Sequence, residues 1–256
     1  MSKPIVMLCS DCYSTTVLYN HVSKFYPIEH LIVENPMRGS ELAKRRLKKL
    51  GFAKVTGQVL FSIIVVNFLR VTSQKRIGQI KRNYNADETP VPAQKKIHVS
   101  SVNDDKCISA LKELNPGVVL VNGTRIISKR ILESVNAVFI NMHTGITPMY
   151  RGVHGGYWAL VNNDADNCGV TVHLVDKGID TGNILYQAKI RVEKSDNFYT
   201  YPFLQFGEGV VLVKKVIDDI SENKMKTTTA PSGVSKLWYH PTFLQYLYYR
   251  VFHKIK

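Results

Sequence analysis

The stretch that organises the chain is residues 137–190, AVFINMHTGITPMYRGVHGGYWALVNNDADNCGVTVHLVDKGIDTGNILYQAKI. A short apolar strand at residues 137–140 is predicted to deliver Asn141 and His143 at its end. A loop rich in Gly and Pro follows, then a helix, then a second strand that leads to Asp180 between two glycines. Polar side chains at strand ends beside Gly-rich loops are typical of active sites in open α/β sheets. We therefore interpret this stretch as catalytic and the rest of the chain as its scaffold.

The first third of the chain predicts the beginning of the same sheet. Residues 4–10 are aliphatic, as in a buried parallel strand, and Asp11 is placed to cap a helix over residues 13–25. Residues 28–33 then predict a second strand, which completes a βαβ opening. The fold class that follows is α/β, with a Rossmann-like, doubly wound and mostly parallel sheet.

Two domains are predicted from the change in pattern along the chain. Residues 1–194 carry the alternating strands and helices of a catalytic domain, with further short strands at residues 96–99 and 118–121. Residues 195–256 are less regular and predict a C-terminal extension made of one helix, at residues 208–221, and an aromatic tail.

Composition indicates a globular protein of a reducing compartment. The chain has 256 residues, 45% of them hydrophobic, and its four cysteines are too few and too irregularly spaced for a disulfide scaffold. The N-terminus shows no signal-peptide pattern, so we expect a cytoplasmic protein. The longest apolar run, residues 59–69, would rise only about 16 Å as a helix against roughly 30 Å of hydrocarbon. It predicts a buried helix rather than a membrane span.

The positive charge is concentrated in one segment. The chain carries a net charge of +14, and residues 37–100 hold 14 Lys and Arg against Glu41, Asp87 and Glu88, which leaves +11 there. Such a segment suits a polyanion, which includes a nucleotide diphosphate, a nucleic acid or an anionic membrane surface. A solvated helix face would account for the same residues without any ligand.

Asn141 and His143 are two residues apart on one strand end, so their side chains project to the same face. An amide can stabilise an oxyanion and an imidazole can carry a proton, but an N-x-H pattern alone is more often structural. A carboxylate beside the imidazole would fix its orientation and raise its pKa. Asp180 and Asp176 are both candidates for that carboxylate, and either could instead only cap a turn.

Two motifs at this spacing carry a family resemblance. Residues 141–152, NMHTGITPMYRG, and residues 169–182, GVTVHLVDKGIDTG, resemble the formyltransferase family that uses 10-formyltetrahydrofolate as donor. The resemblance implies that Asn141, His143 and Asp180 are the catalytic residues, which selects Asp180 over Asp176. It also implies that His173 contacts the catalytic residues without contacting the substrate.

The same resemblance assigns the folate pocket and the chemistry. The family builds its pterin pocket partly from backbone at a G-x-R-I-I/L pattern, which matches Gly123, Thr124, Arg125, Ile126 and Ile127. The implied reaction is acyl transfer to an amine through a tetrahedral oxyanion, with no metal required. Tyr150, Arg151 and Gly152 adjoin the catalytic loop and are candidates to contact the acceptor or the folate.

Departures from the family pattern narrow the choice of acceptor substrate. Glycinamide ribonucleotide transformylases carry a Gly-rich phosphate loop after the first strand, where this chain has Cys9-Ser10-Asp11-Cys12. Methionyl-tRNA formyltransferases carry a C-terminal β-barrel domain. The residues that follow Ile190 are few for such a domain. The sugar N-formyltransferases fit best, which implies a nucleotide-linked deoxyamino sugar of the perosamine or viosamine type, formylated for a surface polysaccharide such as O-antigen. A methionyl-tRNA formyltransferase is the alternative, although no stable nucleic-acid complex is expected.

Two other interpretations concern the chain outside the central motifs. Cys9 and Cys12 follow a strand and precede a helix, as in thioredoxin-like redox proteins, but two ordinary thiols are the simpler account. The aromatic and basic tail at residues 237–256 predicts docking within the protein or a homodimer contact, with a peripheral membrane contact as a further alternative.

Overall fold

The computed structural model describes residues 3–37, 39–229 and 235–256. Seven strands form the central sheet and two short strands form a second one. The strands are β1 Ile5–Ser10, β2 Ile28–Glu34, β3 Lys96–Val99, β4 Val118–Asn122, β5 Val138–His143, β6 Arg151–Gly152, β7 Gly169–Leu174, β8 Ile184–Lys189 and β9 Leu237–Trp238. The helices are α1 Tyr13–Ser23, α2 Gly39–Leu50, α3 Phe52–Phe61, α4 Asn67–Thr72, α5 Gln74–Asn83, α6 Asp105–Leu114, α7 Lys129–Leu132, α8 Gly155–Val161, α9 Tyr201–Ser221 and α10 Phe243–Phe252.

The sheet has the predicted doubly wound topology. Its strand order is β3-β2-β1-β4-β5-β7-β8, so the chain builds outward from β1 on one side and then returns to β4 on the other. The first five strands in this order are parallel, whereas β7 runs antiparallel to both β5 and β8. Ligands of such sheets bind beyond the carboxyl ends of the strands, near the point where the order reverses. The expected Rossmann-like fold class is confirmed.

The aliphatic strands are buried on both faces. In β1, Met7 and Cys9 pack into one apolar cluster with α1 and α9, while Val6 and Leu8 pack into another with α6 and α7. Helices on both faces explain why the strands are continuously apolar instead of alternating.

Helix α9 is longer than the sequence pattern indicated, because it begins at Tyr201 rather than at residue 208. Two glycines lie near the predicted start, and glycines normally weaken a helix. Here neighbouring side chains occupy the space beside both glycines. A Cβ on Gly207 would clash with the ring of Tyr84, and one on Gly209 would clash with Met142. These glycines allow α9 to lie close against the sheet.

The division at residue 194 stays a prediction, but α9 does not stand apart from the sheet. Its residues Phe206, Val210 and Val213 belong to the same buried cluster as β1 and β4. The predicted C-terminal extension therefore begins inside the core that covers one face of the sheet.

The aromatic tail docks within the chain. The ring of Trp238 stacks on Trp158 with centroids 4.7 Å apart, and the indole N–H of Trp158 donates to the carbonyl of Tyr239 at 2.9 Å. Tyr246 is buried beside Phe61, with ring centroids 5.2 Å apart. Intramolecular docking was one of the two predicted roles of the tail, and aromatic packing of this kind stabilises the contact beyond area burial alone.

The apolar run forms a helix, as predicted, but the prediction that this helix is buried is wrong. Residues Phe52–Thr72 form one continuous helix of 21 residues, in which a π-helical turn at Ser62–Val66 joins α3 to α4. It is long and apolar enough to match a membrane span in length and composition. Only 28% of its most apolar 18-residue stretch is buried in the protein. The local pattern showed an apolar helix correctly but could not show that few other elements cover it.

Two half-buried histidines predict how stability depends on pH. Nε2 of His154 and Nδ1 of His240 are 3.0 Å apart and join α8 to the tail. Burial, with His240 nearby, lowers the pKa of His154 to about 3, and burial, with Arg46 nearby, lowers the pKa of His240 to about 4. Both are neutral in the folded chain, so the unfolded chain takes up more protons below a pH of about 6.5.

We therefore expect the melting temperature to fall as the pH drops from about 7 to about 4.5. His154→Asn should weaken this dependence, and Asn suits the positive φ of 57° at that position. His98→Asn, at an exposed histidine on β3, is the matched control. Thermal unfolding followed by circular dichroism across this range measures the effect. An equal slope in the His154→Asn protein and the wild type would contradict the assignment.

Candidate active site

The site forms where β5 and β7 pair as antiparallel neighbours. Their register sets Asn141 opposite His173 and His143 opposite Thr171. Asn141 donates an amide N–H to Nε2 of His173 at 3.1 Å. The adjacent strand thus holds the Asn141 side chain in one orientation.

Asp180 joins the residues that the two strands provide. Its Oδ2 lies 3.4 Å from Nδ1 of His143, and its Oδ1 lies 3.7 Å from Nε2 of His173 and 3.5 Å from the amide nitrogen of Asn141. Oδ2 also accepts a hydrogen bond from the backbone N–H of Gly152 at 3.0 Å. One carboxylate therefore contacts β5, β7 and the loop at residues 144–152, which we call the catalytic loop.

Asp176 has a different role. Its Oδ1 accepts hydrogen bonds from the backbone N–H of Gly178 at 2.9 Å and from the hydroxyl of Thr181 at 2.7 Å. It therefore caps the turn that carries Asp180, whose φ of 52° directs the chain back toward the site. The structure brings Asp180, and not Asp176, to the two histidines.

The hydrogen bonds of His143 define its tautomer. Nε2 lies 2.7 Å from the carbonyl oxygen of Tyr150, which can only accept, so Nε2 carries the proton. In the neutral ring Nδ1 is then an unprotonated acceptor that faces the carboxylate of Asp180. Two acceptors that face each other define a position for one further proton.

For both His143 and Asp180, burial and neighbouring polar groups shift the pKa in opposite directions. Burial lowers the pKa of His143, although the charge of Asp180 and the Tyr150 carbonyl partly offset it. Burial works to raise the pKa of Asp180, but the neighbouring imidazoles of His173 and His143 and the hydrogen bond from the Gly152 N–H outweigh it and lower that pKa overall. An ionised carboxylate beside a neutral, buried imidazole follows, and perturbed groups of this kind are typical of functional sites.

Gly145 makes this geometry possible and was missed in the sequence. A Cβ at this position would lie 2.7 Å from Nε2 of His143 and would clash with the carbonyl oxygen of Tyr150. Any side chain would therefore separate the two partners. The signal was present as the Gly in H-T-G-I, but sequence alone does not indicate which backbone approaches it.

A cavity of about 390 Å³ opens beside these residues. It falls in the size range of small-molecule sites in proteins. The lining residues that the sequence had singled out are Gly123, Thr124, Arg125, Ile126, Ile127, Asn141, His143, Gly152, His173 and Asp180. The strand ends and the G-x-R-I-I segment, assigned separately from the sequence, therefore face one space.

Arg125 has a structural role at the edge of this cavity. Its backbone N–H donates to Oε1 of Glu34 at 2.7 Å, and its guanidinium donates to the backbone carbonyls of Ser100 and Asn35 at 3.1 and 3.0 Å. These contacts attach the segment 123–127 to the ends of β2 and β3. The segment can therefore present its backbone to a ligand from a fixed position.

The structure separates the three residues predicted to contact substrate. Gly152 lines the cavity. Tyr150 is buried, and its hydroxyl donates to Asp164 at 2.7 Å, away from the cavity, so its carbonyl rather than its ring serves the site. Arg151 donates to the carbonyl of Ile179 at 2.9 Å and so holds the Asp180 turn. A substrate contact by the side chain of Tyr150 does not fit this placement.

The C-terminal strand β9 holds the catalytic loop and was not anticipated. It pairs in parallel with β6, which sets Leu237 beside Arg151 and Trp238 beside Gly152. The indole N–H of Trp238 also donates to the carbonyl of Met149 at 2.9 Å. The loop that carries Gly152 is therefore fixed from both sides.

The two N-terminal cysteines are poorly placed for a redox pair. Cys9 is fully buried, and burial raises its pKa to about 12. Cys12 is exposed; burial works to raise its pKa, but hydrogen bonds from Ser14, Thr15 and Ser10 lower it overall. Both are free thiols.

A family profile described as formyl transferase matches residues 53–202, which is more than half of the chain. The chain belongs to the formyl transferase family. The match covers β5, β7 and Asp180, so the residues that meet at the cavity lie within the family's region.

The first curated relatives of this chain carry the name methionyl-tRNA formyltransferase. A methionyl-tRNA formyltransferase from Thermodesulfovibrio yellowstonii is 34% identical over 142 residues, which is 55% of this chain and 44% of the relative. The chain spans less than half the length of the curated relatives it matches first.

Solved structures with the same fold include two other formyltransferases. A phosphoribosylglycinamide formyltransferase from Anaplasma phagocytophilum superposes with a TM-score of 0.58 at 16% identity, over 93% of this chain and 97% of that one. An N-formyltransferase from Helicobacter canadensis, in complex with folinic acid and dTDP-3-aminofucose, superposes with a TM-score of 0.56 at 18% identity, over 92% and 70%. At these identities the likeness shows the fold.

The Asp180 contacts predict the titration of His143. Because the Asp180 carboxylate favours the charged imidazole, Asp180→Asn should lower the pKa of His143 further below its ordinary value. Asn is compatible with the positive φ at this position. NMR of the imidazole nitrogens as a function of pH measures the pKa in each protein.

Asp176→Asn is the matched control for this titration, because Asp176 caps the neighbouring turn through Gly178 and Thr181. It should leave the pKa of His143 unchanged. A larger shift from Asp176→Asn than from Asp180→Asn would reverse the roles of the two aspartates.

Proposed function

We propose that this formyl transferase moves a formyl group from 10-formyltetrahydrofolate to the amine of a nucleotide-linked deoxyamino sugar. One observation carries the activity: Asn141, His143 and Asp180 meet at the wall of the same 390 Å³ cavity as the segment 123–127. A pocket with a few convergent polar groups and perturbed carboxylate and imidazole is suited to acyl transfer.

The folate is assigned to this cavity because of the chemistry of its walls. Ile126, Ile127 and Val175 offer apolar contact, and the backbone of residues 123–127 offers donors and acceptors to a flat heterocycle. The formyl carbon would then lie next to Asn141 and His143. Of the two amide hydrogens of Asn141, one is committed to His173 and the other has only a long contact of 3.5 Å to Asp180. That second N–H is available to a developing oxyanion.

The proton moves through His143 and Asp180. When the amine nitrogen bonds to the formyl carbon, it must lose a proton, and the unprotonated Nδ1 of His143 beside the Asp180 carboxylate can accept it. The tetrahedral intermediate then breaks its bond to N10 of the folate, which takes up a proton as it leaves. The products are the formamide and tetrahydrofolate, so the proton count is unchanged over the cycle.

The acceptor is assigned to a neighbouring basic cavity of about 330 Å³. Arg45, Arg46 and Lys49 of α2 line it together with Tyr239, and it shares Gly152, Val153 and Ile179 with the catalytic cavity. Three cations suit a diphosphate, and the aromatic ring suits a nucleobase or sugar. The nucleotide-linked amino sugar and folate named in the Helicobacter canadensis complex support this class of acceptor.

Methionyl-tRNA is the second candidate, because the sequence relatives carry that name. The cations of α2 could equally contact the phosphates of a tRNA acceptor arm. A role in the synthesis of a surface polysaccharide applies only to the nucleotide-linked amino sugar as acceptor.

Substitutions of the three catalytic residues are expected to remove turnover without unfolding. Asn141→Ala should reduce kcat by at least about a hundredfold, the usual cost of one oxyanion donor. His143→Ala should do the same by removing the proton acceptor, and Asp180→Asn by removing the carboxylate that favours the protonated imidazole, while Asp176→Asn should keep near-normal turnover. Release of tetrahydrofolate from 10-formyltetrahydrofolate, followed by absorbance in the presence of an acceptor, measures kcat. Binding of folinic acid by calorimetry should persist in Asn141→Ala, and near-normal kcat in Asp180→Asn would contradict the mechanism.

A panel of acceptors tests the substrate class. Amino sugars linked to dTDP, UDP and GDP should include a substrate, whereas methionyl initiator tRNA should not be formylated. Arg46→Gln with Lys49→Gln should raise KM for the nucleotide sugar more than it lowers kcat, because the cations bind the diphosphate at a distance from the amine. Lys44→Gln with Lys48→Gln is the matched control. Formylation of the tRNA alone would replace the sugar with the second candidate.

A further inference from the structure

The continuous helix Phe52–Thr72 exposes an unusual amount of apolar surface. Single exposed hydrophobic side chains are normal, but contiguous apolar patches mark interaction sites. No charged residue lies between Lys54 and Arg70. The exposed apolar side chains of this helix are Phe52, Val59, Leu60, Ile63, Ile64, Phe68 and Val71, with exposed fractions from 43% to 77%.

The opposite side of the same helix is fixed to the protein. Val55, Phe61 and Val65 are buried at helical spacing, and the side-chain amide of Gln58 donates to the carbonyl of His240 at 2.7 Å. These residues account for one side only. Because that side is committed to packing, the helix cannot enter a bilayer on its own, and its outer side remains uncovered.

Helix α10 lies beside this helix and extends the exposed surface. A Cβ on Gly57 would be 2.9 Å from Cβ of Thr242, and the ring of Phe61 packs on Tyr246. Both contacts advance by four residues, so the two helices run side by side in the same direction. Helix α10 exposes Leu244, Leu247, Tyr248, Val251 and Phe252. We call the exposed apolar side chains of these two helices the apolar face.

Cations border the apolar face. Helix α2, which precedes Phe52, buries none of its residues. Its Lys44, Arg46, Lys48 and Lys49 have no carboxylate within 4 Å among residues 3–37, 39–229 and 235–256, and Arg45 pairs with Glu41. The far end of the face has Arg70 after Phe68, and the end of α10 has Arg250 and Lys254. An apolar face with basic borders is the pattern of a helix that lies in the plane of a membrane.

We propose that the apolar face docks this protein on an anionic lipid bilayer, with Phe52–Thr72 lying in the interface plane. Lys and Arg side chains are attracted to an anionic surface, and the apolar side chains gain free energy by leaving water. A second copy of this chain fits less well, because the face has cations at both ends, so a symmetric contact would set cations of one copy against cations of the other whichever way the helices cross. The charge pattern therefore favours lipid headgroups.

This surface is connected to the catalytic site through α2. Arg45, Arg46 and Lys49 line the basic cavity that shares Gly152 with the catalytic cavity, and α2 leads directly into the apolar helix. Docking would therefore bring the mouth of the basic cavity near the lipid surface. The docking itself does not depend on the proposed reaction and is tested without substrates.

Co-sedimentation with vesicles measures the docking of the full chain. We expect binding to vesicles of equimolar phosphatidylglycerol and phosphatidylcholine, and much weaker binding to pure phosphatidylcholine. Ile63→Ser with Phe68→Ser should weaken binding to the anionic vesicles at least about tenfold, since two large side chains no longer leave water. Both positions are more than half exposed, at 61% and 64%, so the fold should be retained. Val211→Ser, at a 51% exposed position of α9, is the matched control.

Charge reversal tests the basic border separately. Lys44→Glu with Lys48→Glu should weaken binding to anionic vesicles and leave the residual binding to phosphatidylcholine unchanged. Lys112→Glu with Lys226→Glu makes the same change in net charge elsewhere on the surface and should have little effect. Circular dichroism and melting temperature check that every variant is folded.

Three results would overturn the proposal. The first is no binding of the wild type to either vesicle. The second is full binding by the Ile63→Ser, Phe68→Ser protein. The third is a wild-type dimer in sedimentation velocity that dissociates in this variant and does not bind vesicles, which would assign the apolar face to a second copy of the chain.

Discussion

The Asp180 carboxylate is the constraint on which the site depends. It is largely buried, it accepts from the Gly152 N–H, and it faces His143 and His173 at 3.4 and 3.7 Å. A buried charge is costly unless hydrogen bonds and opposite partial charges surround it. Its partners come from β5, β7 and the catalytic loop, so these three segments must meet for the carboxylate to be satisfied. The proton position beside His143 is a consequence of that same arrangement.

Much of this arrangement was predictable from the sequence, because it is encoded locally. Continuous aliphatic runs predicted the parallel strands, and polar residues at their ends predicted Asn141 and His143. Spacing alone could not separate Asp180 from Asp176, since both lie in one turn; the family resemblance was needed. The structure then explains the choice, because Asp176 caps the turn and Asp180 takes the left-handed backbone that points inward. The cytoplasmic location and the absence of a metal stay predictions.

What the sequence did not show depends on contacts between distant segments. Gly145 matters only because His143 and the Tyr150 carbonyl meet beside it. The sequence did not show that α9 begins at Tyr201, with Gly207 packed against Tyr84 and Gly209 against Met142. The apolar run was correctly predicted as a helix, but its burial depends on how many neighbours reach it. In each case the missing information was tertiary.

The pairing of β9 with β6 has a consequence for the order in which the protein matures. Trp238 and Met149, which it brings into contact, are 89 residues apart in the chain. During synthesis the sheet and both histidine-bearing strands leave the ribosome well before Leu237 does. Asn141, His143 and Asp180 are therefore synthesised before the segment that pairs with the loop beside them. A chain that ended before β9 would contain these three residues but would lack the strand that pairs with β6.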